Sequence, residues 1–246
     1  MRILLLNPNT TSELTDLLLA AGQTAAAPTT EIVPMTAPRG VPYIATEAEA
    51  TIGGAIALEM LAERADEVDA AIIAAFGDPG LLGARELFDI PVVGLAEAAM
   101  LTACMMGRRF GIVTFSGVLA PWYRASVRLY GLDERCAGVF ALDESFKSIA
   151  DVQGEKEEKL LSLAEQAVAG GSDVLIFAGA PLSGLAAKLG GRLPAPSVEQ
   201  VAAAVRQAET LAMLASRSGT TRAARRVPKS STGLSPALAR RLGSGL

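Results

Sequence analysis

Two short apolar runs, each broken off by a glycine-bearing turn, limit what this chain can fold into. Ile72-Ile73-Ala74-Ala75-Phe76 runs into Gly77-Asp78-Pro79-Gly80, and Val174-Leu175-Ile176-Phe177 runs into Ala178-Gly179-Ala180-Pro181-Leu182. A short apolar run without polar alternation suits a strand buried on both faces, as in parallel sheets covered by helices. In such open sheets ligands bind outside the carboxyl ends of the strands. The two breaks are therefore where a site is expected, although Ala75, Gly179 and Ala180 bring no reactive side chain of their own.

Taken in order, the pattern predicts a strand over residues 2–6, a polar turn from Asn7 to Ser12, and a helix carried by Leu14, Leu17, Leu18 and Leu19. A second strand is expected over 30–35, then a Pro- and Gly-bearing loop over 36–43 that is long enough to act as a lid. Helices are expected over 46–64, 82–87 and 96–106, with the central strand and a short strand at 91–94 between them. The second half repeats the scheme. Its strands are expected over 110–115, 138–142, 173–177 and 194–198, and its helices over 119–130, 152–168 and 197–216. Pro121 is acceptable in a first helical turn. Four strands separated by helices, twice over, predict an α/β chain of two doubly wound lobes with mainly parallel four-stranded sheets. The expected division is a first lobe over 1–97, a second over 98–196, and a helix over 197–216 that closes the body by packing back on the first lobe.

Composition narrows the chemistry. Half of the 246 residues are hydrophobic and 20% are charged, enough to bury a large core. The start, Met1-Arg2-Ile3-Leu4-Leu5-Leu6-Asn7, has four consecutive apolar residues, too few for a signal-peptide core or a membrane span, so a cytoplasmic protein is expected. There is no histidine, which excludes the common N/S zinc sites and the Ser-His and Cys-His nucleophile pairs. The cysteines, Cys104 and Cys136, have no metal-type spacing, and no metal is expected. From Arg217 onward every charged residue is basic, so the net charge of -4 leaves an acidic body, which argues against nucleic acid as a partner. The tail, 217–246, is poor in large apolar residues and reads as a mobile extension or a strap over a neighbouring subunit, with a basic arm for an anionic partner as the alternative.

Four stretches together carry a family resemblance: Leu4-Leu5-Leu6-Asn7-Pro8-Asn9-Thr10-Thr11, Phe76-Gly77-Asp78-Pro79-Gly80-Leu81, Val92-Val93-Gly94-Leu95-Ala96-Glu97-Ala98-Ala99-Met100, and Phe110-Gly111-Ile112-Val113-Thr114. In this order, and over residues 1–214, the chain resembles the hydantoin and allantoin racemases of the aspartate/glutamate racemase superfamily. The resemblance implies two pseudo-symmetric lobes with the active site in the cleft between them, no cofactor, a small-molecule substrate and a homo-oligomer. It also implies a mechanism with one cysteine on each side of a carbon acid, one removing the α proton and the other returning a proton to the opposite face, while backbone N–H groups hold the enolate oxygen.

Mapped by motif, the first cysteine belongs at Ala75 and the second at or next to Gly179, so both acid/base groups are missing. Cys104, inside a predicted helix, and Cys136, in a predicted connection, are not expected to replace them. Three explanations stay open at this point. Ala75 is an engineered replacement in a one-cysteine enzyme, or alanine is natural and the protein performs lyase or isomerase chemistry without thiols, or it has become a binding protein.

The resemblance implies substrate-facing positions at Asn7 and Asn9 in the first loop, at Phe76 and Gly77 after the central strand, at Thr114 and Ser116 in the third loop, and at Ala180 and Pro181 in the fourth. Each has a plainer reading. Asn9, Thr10, Thr11 and Ser12 equally suit helix capping. Asp78 suits a turn-forming side chain better than a base. Glu97 is either a carboxylate of the site or a buried structural group. Tyr43, Trp122 and Tyr123 are candidate walls of a cleft or ordinary packing. The expected ligand is a small planar carbonyl-bearing carbon acid of the 5-substituted hydantoin or allantoin type.

Overall fold

The computed structural model describes residues 1–145, 148–149, 151–218 and 228–243, without the side chains of 216–218. The first sheet consists of β1 (Arg2–Asn7), β2 (Glu31–Thr36), β3 (Ala70–Ile73) and β4 (Val92–Gly94), in the order β2-β1-β3-β4. The second consists of β5 (Phe110–Thr114), β6 (Cys136–Ala141), β7 (Val174–Phe177) and β8 (Ser197–Val198), in the order β6-β5-β7-β8. Every pairing is parallel. The two sheets share one topology, and each changes direction between its two central strands, which opens a crevice at their carboxyl ends.

Equivalent hydrogen bonds extend the ladder between the two central strands of each sheet. Ala74 N donates to Leu6 O at 2.7 Å and Ala178 N donates to Val113 O at 2.8 Å. On the other side of each first strand, Ala37 N donates to Asn7 O at 2.9 Å and Leu142 N to Thr114 O at 3.2 Å.

The central strands are buried on both faces, as their apolar runs require. Ile3, Leu5, Ala70 and Ile72 enter a core that continues into the second lobe, while Leu4, Leu6, Ala71 and Ile73 face a separate cluster on the opposite side of the first sheet. This alternation follows from the two-residue period of a strand. Pro34 is tolerated within β2 because β2 is an edge strand, so the missing N–H interrupts no inner ladder.

The helices are α1 (Ser12–Ala25), α2 (Glu47–Arg64), α3 (Leu81–Leu87), α4 (Leu95–Met106), α5 (Ala120–Leu129), α6 (Val152–Ala169), α7 (Leu185–Leu189), α8 (Gln200–Ser218) and α9 (Pro236–Gly243). A reciprocal pair of bonds between Thr46 and Glu49 caps α2, satisfying two amide donors that a helix start leaves open. In its second turn Gly54 presses against the turn after β3, and a Cβ on Gly54 would stand 2.9 Å from Gly80 N. No helix of the described residues is long and apolar enough to cross a membrane.

Several boundaries differ from expectation. Residue 97, the expected end of the first lobe, falls inside α4, which packs against strands of both sheets. The closing helix, α8, is Gln200–Ser218, and 197–198 form β8. It packs on α1, α4 and β3, and Glu209 accepts from Ala27 N and Thr30 Oγ1. Cys136 opens β6 and does not lie in a connection. The tail is not wholly a mobile extension: α9 docks on α2, with Leu238 buried and the Arg241 guanidinium over the Phe88 ring and paired with Asp66. Composition missed this because one leucine and one cation over an aromatic face are enough to seat a short helix. Residues 219–227 and 244–246 of that expected tail lie outside the described residues.

Candidate functional site

The loops that leave β1, β3, β5 and β7 meet at a small, partly open cavity of about 30 Å³, room for one or two water molecules. From the first lobe it is lined by Asn9, Leu14, Tyr43, Ile44, Ala75 and Phe76. From the second come Phe115 and Leu119, Trp122 and Tyr123 of α5, and Gly179 to Pro181. Ala75 and Gly179 therefore face one space from opposite lobes. No lining residue is charged.

Asn9 replaces the hydroxyls as the organiser of the first loop: its Oδ1 accepts from Thr11 N at 3.1 Å and from Asn7 Nδ2 at 3.2 Å. Thr11, the N-cap residue of α1, makes no capping bond with its side chain. Its hydroxyl instead donates to Pro42 O at 2.6 Å, and Thr10 N donates to Val41 O at 3.0 Å. These bonds fasten the loop expected to be a lid, bringing Tyr43 and Ile44 over the cavity. Asn9 is 3% exposed, and its Nδ2 has no hydrogen-bond partner among the described residues, so it can donate to a ligand.

The turn after β3 is left-handed, with Gly77 at φ +114°, Asp78 at +54° and Gly80 at +81°, conformations that glycine takes without strain. The indole of Trp122 lies where a Cβ on Gly77 would be. Phe76 meets Tyr123 edge to face at 4.8 Å. On the far side of Trp122 is an outer groove of about 400 Å³, rimmed by Glu47, Thr51, Gly77, Leu82 and Leu129. Trp122 thus stands between the inner cavity and the groove.

Asp78 is neither a base in the cavity nor only a turn former. Its carboxylate accepts from Ala96 N and Glu97 N, both at 2.8 Å, and from Tyr130 Oη at 2.6 Å, so it caps α4 and ties it to the end of α5. Burial pushes its pKa up to about 6, against the pull of these three donors. Glu97 points away and pairs with Arg85, which also donates to Val92 O at 2.9 Å.

Of the remaining expected positions, Phe76, Ala180 and Pro181 line the cavity, and Gly77 lines the outer groove. Asn7 lies beneath the wall, its Nδ2 spent on Asn9, Thr11 and Thr15. Thr114 is also beneath it, donating to Ala178 O at 3.0 Å, and Ser116 is half-buried beyond it. Cys104 lines a separate groove between α4 and α8, and Cys136 pairs with Phe110 at the opposite end of its sheet. Sequence reading missed Leu14, Ile44, Phe115 and Leu119. Phe115 directly follows a strand end, which is the one positional hint the chain gave.

Available donors complete the site. The backbone N–H groups of Phe76 and Ala180 have no hydrogen-bond partner among the described residues, and both residues line the cavity. Gly179 N is spent on Gln200 Oε1 at 3.3 Å, and Gln200 Nε2 returns a bond to Gly179 O at 2.7 Å, which fixes the loop. Gly179 has φ +108°, where a side chain is strained, and a Cβ there would stand 3.2 Å from Tyr123 Oη and 3.0 Å from Phe115.

Comparison with known proteins gives the family and the fold. A hydantoin racemase of Paenarthrobacter aurescens is 33% identical over 217 residues, covering 87% of this chain and 92% of that one. The structure of an allantoin racemase from Klebsiella pneumoniae, 34% identical, superposes with a TM-score of 0.87 over 95% of this chain and 96% of that one. Arylmalonate decarboxylase shares the fold alone, at 13% identity and a TM-score of 0.56 over 98% and 99% of the two chains. The Asp/Glu/Hydantoin racemase family model matches residues 3–208, and with its paired sheets and its cavity between Ala75 and Gly179 the chain belongs to that family.

Proposed function

We propose that the cavity binds a small carbonyl-bearing carbon acid of the 5-substituted hydantoin or allantoin type and supports proton transfer at the carbon next to the carbonyl, without a pair of thiols. The observation that carries this reading is the cavity itself, where Ala75 and Gly179 face each other across a space bounded by uncharged walls. Asn9 Nδ2 and the N–H groups of Phe76 and Ala180 are suited to hold ring carbonyls and the enolate oxygen that develops as the proton leaves. Their low-dielectric surroundings strengthen such bonds. Because the first-lobe wall offers a methyl group at Ala75, chemistry on one face is favoured over two-base racemisation. One-face lyase chemistry, such as decarboxylation, and ligand binding without turnover are the alternatives this wall leaves.

The test is a titration of the protein with hydantoin and allantoin, followed by the emission of Trp122, the one tryptophan of the chain. Saturable quenching supports the reading, and an unchanged spectrum at millimolar ligand removes it. Chiral chromatography of each enantiomer then separates exchange or lysis on one face from racemisation.

We also propose self-association through α4 and α8. Leu101, Met105 and Met106 on the first, with Leu211, Met213 and Leu214 on the second, are 39% to 79% exposed. Together they line or flank a mainly apolar groove, the kind of patch that marks an interaction surface.

A further inference from the structure

Tyr123 is a buried titratable group with no partner of opposite charge among the described residues. Its ring is 2% exposed, packed edge to face on Phe76, and it lines the cavity. Its hydroxyl lies beside Thr114 and 3.2 Å from where a Cβ on residue 179 would stand. The backbone at Gly179 disfavours any side chain, so the phenol reaches from α5 into the space that a side chain from the Gly179 loop would otherwise enter. Asn9 and Trp122 carry protons too firmly held for exchange with carbon, and Tyr43 belongs to the opposite lobe.

We propose that the Tyr123 hydroxyl is the group that passes a proton to and from the ligand carbon on the Gly179 face of the cavity. This rests on the reading that the cavity binds a hydantoin-type carbon acid. In the forward step the Cα–H bond breaks, its electrons stay on the ligand as an enolate held by backbone N–H groups, and the proton goes to the phenolate oxygen of Tyr123. In the return step the phenol O–H bond breaks and its proton goes back to the same face of the same carbon. The phenolate arises by loss of the phenol proton to solvent hydroxide. Burial holds this phenol above its ordinary pKa, against the opposing effect of Thr114, and no charged side chain lines the cavity to lower it. The phenolate is therefore the scarce form, and exchange is expected to be slow near neutrality and faster in alkaline buffer. With no second acid on the Ala75 face, the configuration is retained.

The experiment follows deuterium incorporation at the α carbon of each 5-methylhydantoin enantiomer in alkaline D2O, with the unaltered protein and with Tyr123→Phe, and runs the Trp122 emission titration in parallel. The expected result is exchange of one enantiomer above the buffer rate, with retention. Tyr123→Phe should lower that exchange by about 10²-fold or to the buffer rate, as expected for loss of an acid-base group, with binding changed by less than about 3-fold. Binding without exchange in the unaltered protein overturns the inference and leaves the binding reading standing. So does exchange that survives Tyr123→Phe, or equal exchange of both enantiomers. Absence of any binding signal overturns the binding reading and this inference with it.

Discussion

The indole of Trp122 and the Cα of Gly77 are in contact across the two lobes, so that no side chain fits between the turn after β3 and the first turns of α5. Gly77→Ala should therefore destabilise the protein by about 2 to 4 kcal/mol, because it adds strain at φ +114° and evicts an aromatic wall. Urea unfolding gives the size of the loss. A red shift of the single tryptophan's emission in the folded variant would show that the indole has moved towards water.

Restoring a thiol to the first-lobe wall should change the stereochemical outcome. Ala75 is 6% exposed and in contact with the cavity, and its methyl group can be exchanged for a thiol-bearing side chain at a cost of roughly 1 kcal/mol or less. With an acid-base group on each face, Ala75→Cys should racemise 5-methylhydantoin, seen as deuterium entering both enantiomers. The double variant Ala75→Cys/Tyr123→Phe should exchange one face only. If both proteins racemise equally, the proton on the Gly179 face comes from elsewhere.

Gly179→Cys should not achieve the same from the other side. The loop holds residue 179 at φ +108° and fastens it to Gln200 at both its N–H and its carbonyl, so a side chain there strains the backbone by about 1 to 3 kcal/mol and meets Phe115. A lowered unfolding midpoint without gain of exchange is expected. Fast exchange at full stability would show that the loop relaxes.

Asp78 predicts a pH dependence of stability. Its pKa is raised from 3.8 to about 6 in the folded protein, so the folded state binds the extra proton. Its contribution to stability is complete below 3.8 and is lost as pH rises through about 6, a change of about 3 kcal/mol. Unfolding free energies measured for the unaltered protein and for Asp78→Asn should diverge in slope across this window, with the variant flatter. Parallel curves would place the titration on other carboxylates.

For assembly, light scattering at micromolar concentration should give a mass above the 25.3 kDa of one chain. Met105→Glu together with Leu214→Glu should return it towards that value, since charges on an apolar interface are left desolvated and unpaired. A monomer in the unaltered protein would show that the α4 and α8 surface has another use.

The fold was readable because its information is local. The short apolar runs around Leu4, Ile72, Ile112 and Ile176 suit strands buried on both faces, and the turn residues that follow mark where they stop. The site was readable in position but not in detail. Nothing in the sequence near Thr11 says that its hydroxyl leaves its own helix for Pro42, or that Asp78 reaches across to the start of α4, because both bonds join segments far apart in the chain. Tyr123 could be named as a wall from its place near a helix start. Its closeness to residue 179 depends on how two lobes meet, which no local pattern encodes. The docking of α9 was hidden for a similar reason, since Leu238 gains its burial only from α2 and its neighbours.

Gly54 and Gly80 bring two stretches of main chain together with nothing between them, the Cβ position of one only 2.9 Å from the amide of the other. Side chains can give way by changing rotamer, whereas main chain held by helical bonds cannot, so the turn that follows Ala75 is held stiffly against α2. A ligand larger than a water molecule must then gain its room by rearrangement of side-chain walls, among them the rings of Trp122, Tyr123 and Phe115 on the opposite lobe. One wall would act as an anvil that holds the ring of the ligand in register, and the other as a cushion whose shape follows what is pressed into it.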